Sequence, residues 1–254
     1  MKLFEPFMKR NFLHHFGRYI LLLKRSFSKP EKFSIYQKEI LKQMSEIGIG
    51  SLGIVIIISV FLGAVLTVQT AYQMTSPLLS KSVIGSIVTN SSILEMAPSV
   101  ICLILAGKIG SSISSELGTM RISEQIDALE IMGVNSASFL VMPRVLATTL
   151  MIPLLVIVSG FLTIYAGIWV GDLSGVLTKE QFLDGAREYF IPFTVTFAII
   201  KAFTFGFIIS SVSAYIGYYT EGGSFEVGKS STRSVVACCI LILTADYILA
   251  AIML

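Results

Sequence analysis

One polar segment interrupts an otherwise apolar chain: Ser115-Glu-Leu-Gly-Thr-Met-Arg-Ile-Ser-Glu-Gln-Ile-Asp-Ala-Leu-Glu-Ile-Met-Gly133. This segment, the polar island, holds four of the 16 acidic residues of the chain and lies between two long apolar runs. A chain that is 54% hydrophobic keeps four carboxylates so close together only where water or a charged partner meets them. We therefore expect the polar island to be the place where the protein contacts something soluble.

The composition of the chain indicates an all-α integral membrane protein. Charged residues make up only 14% of the sequence, against about 25% in soluble domains, and the mean hydropathy is +0.80. The 254 residues leave room for about five or six membrane spans of ~20 residues. The chain is too short to add a nucleotide-binding domain, and it has no G-x-x-x-x-G-K-[ST] sequence that would form a P-loop.

Five apolar runs predict five transmembrane helices. The runs lie at about 48–74, 83–110, 143–170, 192–215 and 235–254. Together they form a predicted five-span domain that covers residues 47–254. Between the third and fourth runs, residues 172–189 are polar enough to lie along the outer surface of the membrane.

The first 46 residues form a basic leader that differs from the rest of the chain. This leader, residues 1–46, carries ten Lys and Arg residues. Its apolar residues recur at helical spacing: Phe12, Phe16, Ile20, Leu23 and Phe27. The spacing predicts an amphipathic helix that lies in the membrane interface and is broken at Lys29-Pro30. A soluble helix is the alternative that the pattern leaves open.

The distribution of basic residues predicts the orientation of the chain in the membrane. If the N-terminus is cytoplasmic, that side holds ten Lys and Arg in the leader, three around the polar island and two near residue 230. Only Lys81, Lys179 and Arg187 then lie on the other side. The positive-inside rule therefore places the N-terminus and the polar island in the cytoplasm and the C-terminus on the far side.

A short amphipathic helix, at about residues 122–133, is predicted within the polar island. Ser123 is a suitable N-cap, and Gly133 is a suitable stop. A helical wheel has an apolar side (Ile122, Ile126, Leu129, Met132) and an acidic side (Glu124, Asp127, Glu130). Such a helix can simply rest on a membrane, but its acidic side fits a protein partner better, because cytoplasmic leaflets are negatively charged.

Three ionisable residues lie well inside predicted spans: Glu95, Lys201 and Asp246. Each costs ~2.5 to 3.5 kcal/mol at the bilayer centre unless it faces a partner or a wet cavity. Lys201 lies ~13 Å from the outer end of its span and Asp246 ~18 Å from the inner end of its span, depths that coincide in a ~30 Å core. We therefore predict an ion pair between Lys201 and Asp246. Glu95 is then the charge left over and a candidate for lining a cavity, the alternative being a third member of the same cluster.

Small residues recur four apart in two spans, a pattern that lets helices approach closely in lipid. In the second span the rows are Gly107, Ser111 and Ser115, and Gly110 and Ser114. In the fourth span they are Gly206, Ser210 and Ala214, and Ser213 and Gly217. The rows fit packing within the chain and packing between subunits equally well.

No catalytic or metal-binding constellation is evident, so the sequence predicts neither an enzyme nor a cofactor bound by this chain. Cys102, Cys238 and Cys239 lie in apolar runs without metal or disulfide spacing. His14 and His15 point about 100° apart on a helix and have no third ligand. An ion-coupled secondary transporter would show internal repeats and paired broken helices, and neither is found. A membrane scaffold is not distinguished from a transporter subunit by these features.

A family resemblance emerges at the polar island. Glu116 to Gly133, followed by Pro143-Arg-Val-Leu-Ala147, resembles the permease subunit of Mla-type phospholipid ABC transporters, the MlaE family. The likeness continues in Glu95-Met-Ala-Pro98 and in Val227-Gly-Lys-Ser-Ser-Thr-Arg-Ser-Val-Val236. It covers essentially everything after the leader, and the motif in the island is long and specific.

The resemblance implies a function and a set of partners. It implies a homodimer of non-catalytic permeases in the bacterial inner membrane, moving phospholipid, with a separate ATPase subunit beneath each half that binds ATP and Mg²⁺. An MCE-domain protein is implied on the periplasmic side, with a STAS-domain protein as an additional partner and no nucleic acid. The island helix is implied to be the coupling helix that docks in the ATPase, and Glu95 is implied to lie near the lipid path. The residues that the resemblance implies as ATPase-coupling residues are Glu124, Gln125, Ile126, Asp127, Ala128, Leu129 and Glu130.

Overall fold

The structure, a computed structural model, describes residues 12–28, 33–74, 80–188 and 190–253. Within these ranges the chain is helical and contains no β-strand. The helices are α1 (Phe12–Ser26), α2 (Phe33–Gln73), α3 (Ser82–Ile122), α4 (Gln125–Ile131), α5 (Ser136–Leu173), α6 (Lys179–Glu188), α7 (Phe193–Tyr218) and α8 (Ser224–Met253). Five of them, α2, α3, α5, α7 and α8, are long and apolar enough to cross a membrane. The prediction of an all-helical chain with five helices long and apolar enough to span a membrane is therefore confirmed for the described residues.

Two shorter helices lie where amphipathic patterns predict them. α1 falls within the leader, and α4 falls within the polar island. The first eleven residues and the predicted break at Lys29-Pro30 lie outside the described residues. α2 begins at Phe33, so the end of the leader is continuous with the first long helix. The domain boundary at residue 47 and the interfacial position of the leader stay predictions.

Contacts within the chain divide it into two compact units. The first unit takes in residues 1–47 as far as they are described, 105–150 and 206–242. The second unit takes in 48–104, 151–205 and 243–254. The polar island therefore belongs to the first unit, and the three intramembrane charges belong to the second.

The second unit has a core between the start of α3 and α6. It consists of Ile84, Val88, Leu177 and Phe182. The two backbones approach closely, because a Cβ atom on Gly85 would meet the carbonyl of Phe182 and one on Gly185 would meet the carbonyl of Ser82. α6 therefore buries one face against α3, while its charged residues remain exposed.

α3 departs from α-helical geometry in two places that the apolar pattern does not reveal. Its turns are π-helical over Ser92–Val100 and Ala106–Gly110. The first segment contains Pro98, which has no N–H, so in an α-helix the carbonyl of Leu94 would lack its donor. A π-helical turn pairs a carbonyl with the N–H five residues later, so the carbonyl of Leu94 can pair with Ser99, and the missing donor is moved to the carbonyl of Ile93. Proline thus accounts for the first departure.

The small residues of the fourth span pack within the chain. Ser210, Ser213 and Ala214 are fully buried in the first unit. A Cβ atom on Gly217 would lie 2.7 Å from the carbonyl oxygen of Ser114 and 3.0 Å from the Cβ of Leu117. Ser213 also contacts Ser234 and Cys238 of α8. The row of Ser213 and Gly217 therefore packs against helices of the same chain.

We predict that Gly217→Ala destabilises the protein. The added methyl group would overlap the α3 backbone, and overpacking of this kind costs about 1–3 kcal/mol in the free energy of unfolding. Gly228→Ala is the matched control, since a Cβ atom at this exposed helical glycine meets nothing within 4 Å, and we expect a gain of about 0.5–1 kcal/mol there. Thermal unfolding in detergent measures both variants, and equal midpoints would contradict the close approach of α3 and α7.

Candidate functional site

α4 starts with a left-handed residue and not with the predicted N-cap. Glu124 precedes the helix with φ of 60°, a conformation uncommon for a residue other than glycine. Ser123 Oγ donates to the carbonyl of Thr119 at 2.8 Å, so this side chain ends α3 and does not cap α4. The prediction of Ser123 as N-cap is therefore wrong. α4 is seven residues long, shorter than the range 122–133 expected from the wheel.

α4 ends as its sequence indicates. Gly133 has φ of 80° and donates its N–H to the carbonyl of Glu130 at 3.0 Å. The N–H of Val134 donates to the carbonyl of Leu129 at 3.0 Å. These two bonds form a Schellman motif, in which a residue with positive φ, usually glycine, closes the helix. The chain therefore turns sharply into α5 after a single short helix.

The apolar residues of α4 divide into a buried part and an exposed part. Ile126 is fully buried in the first unit, and Leu129 is half-buried. Ile131 is 87% exposed and Met132 is 68% exposed. The helical wheel placed Met132 on the apolar side together with Ile126, but α4 ends at Ile131, so the side chain of Met132 does not share that face. The end of α4 therefore presents two large hydrophobic side chains outward.

Two of the three acidic residues of the predicted outer face are bound within the chain. Arg121 Nη1 donates to Asp127 Oδ1 at 2.6 Å. Glu130 Oε1 accepts from Ser136 Oγ at 2.8 Å and from the Tyr218 hydroxyl at 3.2 Å. Glu124 is exposed. The two bound carboxylates hold α4 in place from both ends.

An ion pair between the buried Arg144 and the exposed Glu116 supports the flanks of the polar island. Arg144 Nη2 lies 3.0 Å from Glu116 Oε1, and Arg144 Nε donates to Glu116 Oε2 at 3.3 Å. Arg144 Nη1 also donates to the carbonyl of Leu140 at 2.6 Å. A two-pronged contact of this kind fixes direction as well as distance. It ties the last turns of α3 to the start of α5 on either side of α4.

The second unit brings the three intramembrane charges together. The side chain of Lys201, on α7, is 1% exposed. Its Nζ lies 2.6 Å from Asp246 Oδ1 on α8 and 2.8 Å from Glu95 Oε2 on α3. The same ammonium group donates to the carbonyl of Leu94 at 3.2 Å. Lys201 therefore joins three membrane helices through one buried positive charge.

This cluster changes the interpretation of Glu95. The sequence predicted Glu95 to be an unpaired charge, with membership of the same cluster as the alternative. The structure shows the alternative, because Glu95 is the third member of the Lys201 cluster. Its side chain is still 47% exposed, whereas that of Asp246 is mostly buried. One oxygen of the Glu95 carboxylate therefore binds the ammonium group, while about half of the side chain remains exposed.

The family to which the chain belongs follows from its similarity to known proteins. Residues 40–252 match the family described as Permease MlaE. This chain is a member of the MlaE permease family. The match covers both the polar island and the Lys201 cluster, and it confirms the resemblance drawn from the island motif.

Individual relatives of this permease-family chain agree with that membership. A probable ABC transporter permease protein of Rickettsia bellii is 34% identical over 95% of this chain and 97% of its own length. A probable ABC transporter permease protein of Synechocystis is 31% identical over 86% of this chain and 83% of its own length. The Arabidopsis thaliana protein TRIGALACTOSYLDIACYLGLYCEROL 1, chloroplastic, is 32% identical over 86% of this chain and 62% of its own length.

We predict that Lys201→Met strongly destabilises this permease, because it leaves two carboxylates without their shared cation. Breaking a buried ion pair from one side costs about 3–5 kcal/mol in the free energy of unfolding. Lys179→Met is the matched control. Lys179 pairs with Asp172 at 3.2 Å on the exposed surface, and such pairs contribute about 0–1 kcal/mol. The measurements are the yield of monodisperse protein and thermal unfolding in detergent.

Neutralising the whole cluster tests whether charge is the cause. We expect Glu95→Gln/Lys201→Met/Asp246→Asn to recover most of the yield that Lys201→Met loses. Exchanging the charges of Lys201 and Asp246 alone should restore only part, because Glu95 then faces a second carboxylate. If the triple variant unfolds as easily as Lys201→Met, the cluster does not act through its charges.

Proposed function

We propose that this chain is the membrane-spanning, non-catalytic permease subunit of an ATP-driven phospholipid transporter, with ATP and Mg²⁺ bound by a separate ATPase subunit. Its relatives named as probable ABC transporter permeases support the transporter class. The chain has no P-loop sequence of its own, which agrees with hydrolysis on another chain. ATP-driven motion must then enter the permease through a contact surface.

The observation that carries the proposal is the construction of α4. A helix of seven residues is held by Arg121–Asp127 at one end and by Glu130 with Ser136 at the other, and it presents Ile131 outward. A short, well-supported helix whose exposed surface is partly apolar and partly acidic fits the cleft of a protein partner. We assign α4 as the coupling helix, with its exposed residues as the docking surface: Glu124, Gln125, Ala128, Glu130, Ile131 and Met132. Of the coupling residues that the sequence predicts, Ile126 is buried and lies behind this surface.

The proposed orientation follows from the charges of the chain. The excess of Lys and Arg in the leader and around the polar island supports a cytoplasmic N-terminus and a cytoplasmic α4. The C-terminus then lies on the periplasmic side of a bacterial inner membrane. On α1, Phe16, Ile20 and Leu21 are exposed apolar residues, which supports a position of this helix in the membrane interface.

The proposed assembly is the one that the family resemblance implies. It consists of two copies of this chain, an ATPase subunit beneath each copy, an MCE-domain protein on the periplasmic side and a STAS-domain protein. Exposed apolar residues lie along α2 and α8. Such surfaces can contact a second copy as well as lipid.

A lipid cargo is supported by two observations. The Arabidopsis relative carries the name of a galactolipid, and Glu95 combines an intramembrane position with an open side. A half-exposed carboxylate at that depth keeps water or a polar head group near it, because it is costly in pure hydrocarbon. We therefore place Glu95 beside the lipid path.

We predict that Ile131→Ser/Met132→Ser weakens binding of a co-expressed ABC ATPase subunit. Two exposed hydrophobic anchors are removed while the charge and the fold of α4 stay the same, and the loss of such anchors weakens binding by about tenfold or more. The measurement is the amount of ATPase subunit that co-purifies in mild detergent. The matched control is Leu173→Ser, which removes a similarly exposed hydrophobic residue, 78% exposed, at the other end of α5.

The outcomes of this experiment distinguish failure of the docking role of α4 from failure of the transporter function. Undiminished co-purification with the double variant would reject α4 as the docking helix. Failure of any ATPase subunit to co-purify with the unmodified chain would reject the transporter function itself. A loss with Leu173→Ser as large as that with the double variant would show a general effect of polar substitution.

We predict that Glu95→Gln slows ATP-dependent transfer of a fluorescent phospholipid in proteoliposomes that contain the complex. Glutamine keeps the size of the side chain and an acceptor for Lys201 but removes the charge beside the lipid path. Unchanged transfer by well-folded protein would reject the role of Glu95. Transfer driven by an ion gradient without ATP would favour a secondary transporter, and ATPase binding without any transfer would favour a scaffold.

A further inference from the structure

Three tyrosines gather at the end of α7, and the proposed function makes no use of them. They are Tyr215, Tyr218 and Tyr219, all in the first unit. The ring of Tyr219 lies 5.2 Å from that of Tyr215 and 5.1 Å from that of Tyr218, both in edge-on geometry. Aromatic pairs at these distances attract each other beyond simple burial. The end of α7 therefore carries a connected cluster of rings, the tyrosine cluster.

The tyrosine cluster is bonded to the coupling helix. The hydroxyl of Tyr218 donates to Glu130 Oε1 at 3.2 Å and lies 2.7 Å from Ser136 Oγ. Ser136 also donates to the same carboxylate oxygen at 2.8 Å. Hydrogen bonds to a charged acceptor are stronger than neutral ones. α4, the start of α5 and the end of α7 thus meet at one carboxylate oxygen.

The side chain of Tyr218 is placed differently from an ordinary membrane anchor. Tyrosines at a membrane boundary commonly put their hydroxyl among head groups and water. Tyr218 is only 7% exposed, and its hydroxyl is shared between a carboxylate and a serine of its own chain. Its contacts therefore serve the connection between helices.

α1 braces the same cluster from another side. The Arg18 guanidinium lies 4.0 Å from the centre of the Tyr219 ring, and the His15 Nδ1 lies 2.9 Å from the Tyr215 hydroxyl. The Tyr19 hydroxyl donates to Ser211 Oγ at 2.9 Å. Burial raises the pKa of Tyr19 above its usual value, so this donor keeps its proton at neutral pH. Three successive contacts thus fix α1 along the last turns of α7.

The end of α1 is also tied to the connection between α4 and α5. Asn135 Nδ2 donates to the carbonyl of Arg25 at 3.2 Å and to Ser28 Oγ at 2.7 Å. A cavity of about 370 Å³ opens beside this contact and is lined by Arg25, Glu130, Asn135 and Tyr218 among others. Asn135 therefore braces the connection that follows the coupling helix, and open space lies beside this contact.

We propose that the contact of Tyr218 with Glu130 and Ser136 transmits movement of α4 to the membrane helix α7, with α1 holding the tyrosine cluster in position. This inference rests on the proposed role of α4 as the coupling helix. α4 is attached to α3 and α5 through the chain, but α7 is distant in sequence, and Tyr218 bonds it directly to an α4 side chain. Tyr218 is thus a positioning residue that makes α7 follow α4.

The test uses the complete complex with its ATPase subunit in proteoliposomes and measures two rates, ATP hydrolysis and ATP-dependent transfer of a fluorescent phospholipid. Tyr218→Phe removes only the hydroxyl. We expect ATP hydrolysis to continue at the unmodified rate, while lipid moved per ATP falls by about tenfold, as expected when a hydrogen bond to a charged group is lost. A change confined to this ratio is not produced by a general loss of stability.

The matched control is Tyr36→Phe. Tyr36 is also a buried tyrosine of the first unit, and its hydroxyl donates to Ser138 Oγ of α5 at 3.3 Å, whereas the hydroxyl of Tyr218 donates to a side chain of α4. We expect this variant to keep the unmodified amount of lipid moved per ATP. An equal fall in Tyr36→Phe and Tyr218→Phe would overturn the proposal, as would no fall in Tyr218→Phe.

A second variant approaches the contact from its other partner. Glu130→Ala should lower the lipid moved per ATP, and adding Tyr218→Phe to it should lower that ratio no further, because both changes break one link. Glu130→Gln keeps an acceptor oxygen and should retain more of the ratio than Glu130→Ala. Full additivity of the two losses would overturn the proposal. If the unmodified complex moves no lipid with ATP, the proposed function fails and this inference falls with it.

Discussion

Water is absent from the core of a bilayer, so each polar group there needs a partner within the protein. This constraint underlies the helical architecture and also the few polar contacts between the membrane helices. Ser59 Oγ of α2 donates to Ser159 Oγ of α5 at 2.8 Å. Lys201 binds two carboxylates and one backbone carbonyl of neighbouring helices. Each such contact is costly to lose because no solvent replaces it. The Lys201 cluster therefore acts as a fixed point where α3, α7 and α8 meet.

The polar island follows the opposite rule, since it can exchange its contacts with water or with a partner. Its carboxylates nevertheless bind within the chain, Asp127 to Arg121 and Glu130 to Ser136 and Tyr218. A helix of seven residues is not stable by itself, and these bonds supply the rigidity that its length does not. A rigid short helix can pass on a displacement, whereas a mobile loop would absorb it.

Local patterns predicted those features that depend on near neighbours. The apolar runs predicted the five long helices, Gly133 predicted the end of α4, and helical spacing placed Ile126 on the apolar side of that helix. Predictions failed where a distant residue or a competing local bond decided the outcome. Ser123 is bound to the end of α3, and Met132 lies beyond the last turn of α4. Apolar periodicity does not reveal the π-helical turns of α3, and Pro98 is the one sequence feature that accounts for the first of them.

The sequence alone determined the membrane class, the number of spans and the family, because composition, run length and the island motif are properties of contiguous residues. Only the tertiary structure decided that Glu95 shares Lys201 with Asp246, since sequence depth allowed a pair but did not reveal a third member. It alone connected Tyr218 of α7 with Glu130 of α4, 88 residues apart. Contacts across such separations depend on how helices turn about their axes, and that rotation is set by packing among all of them.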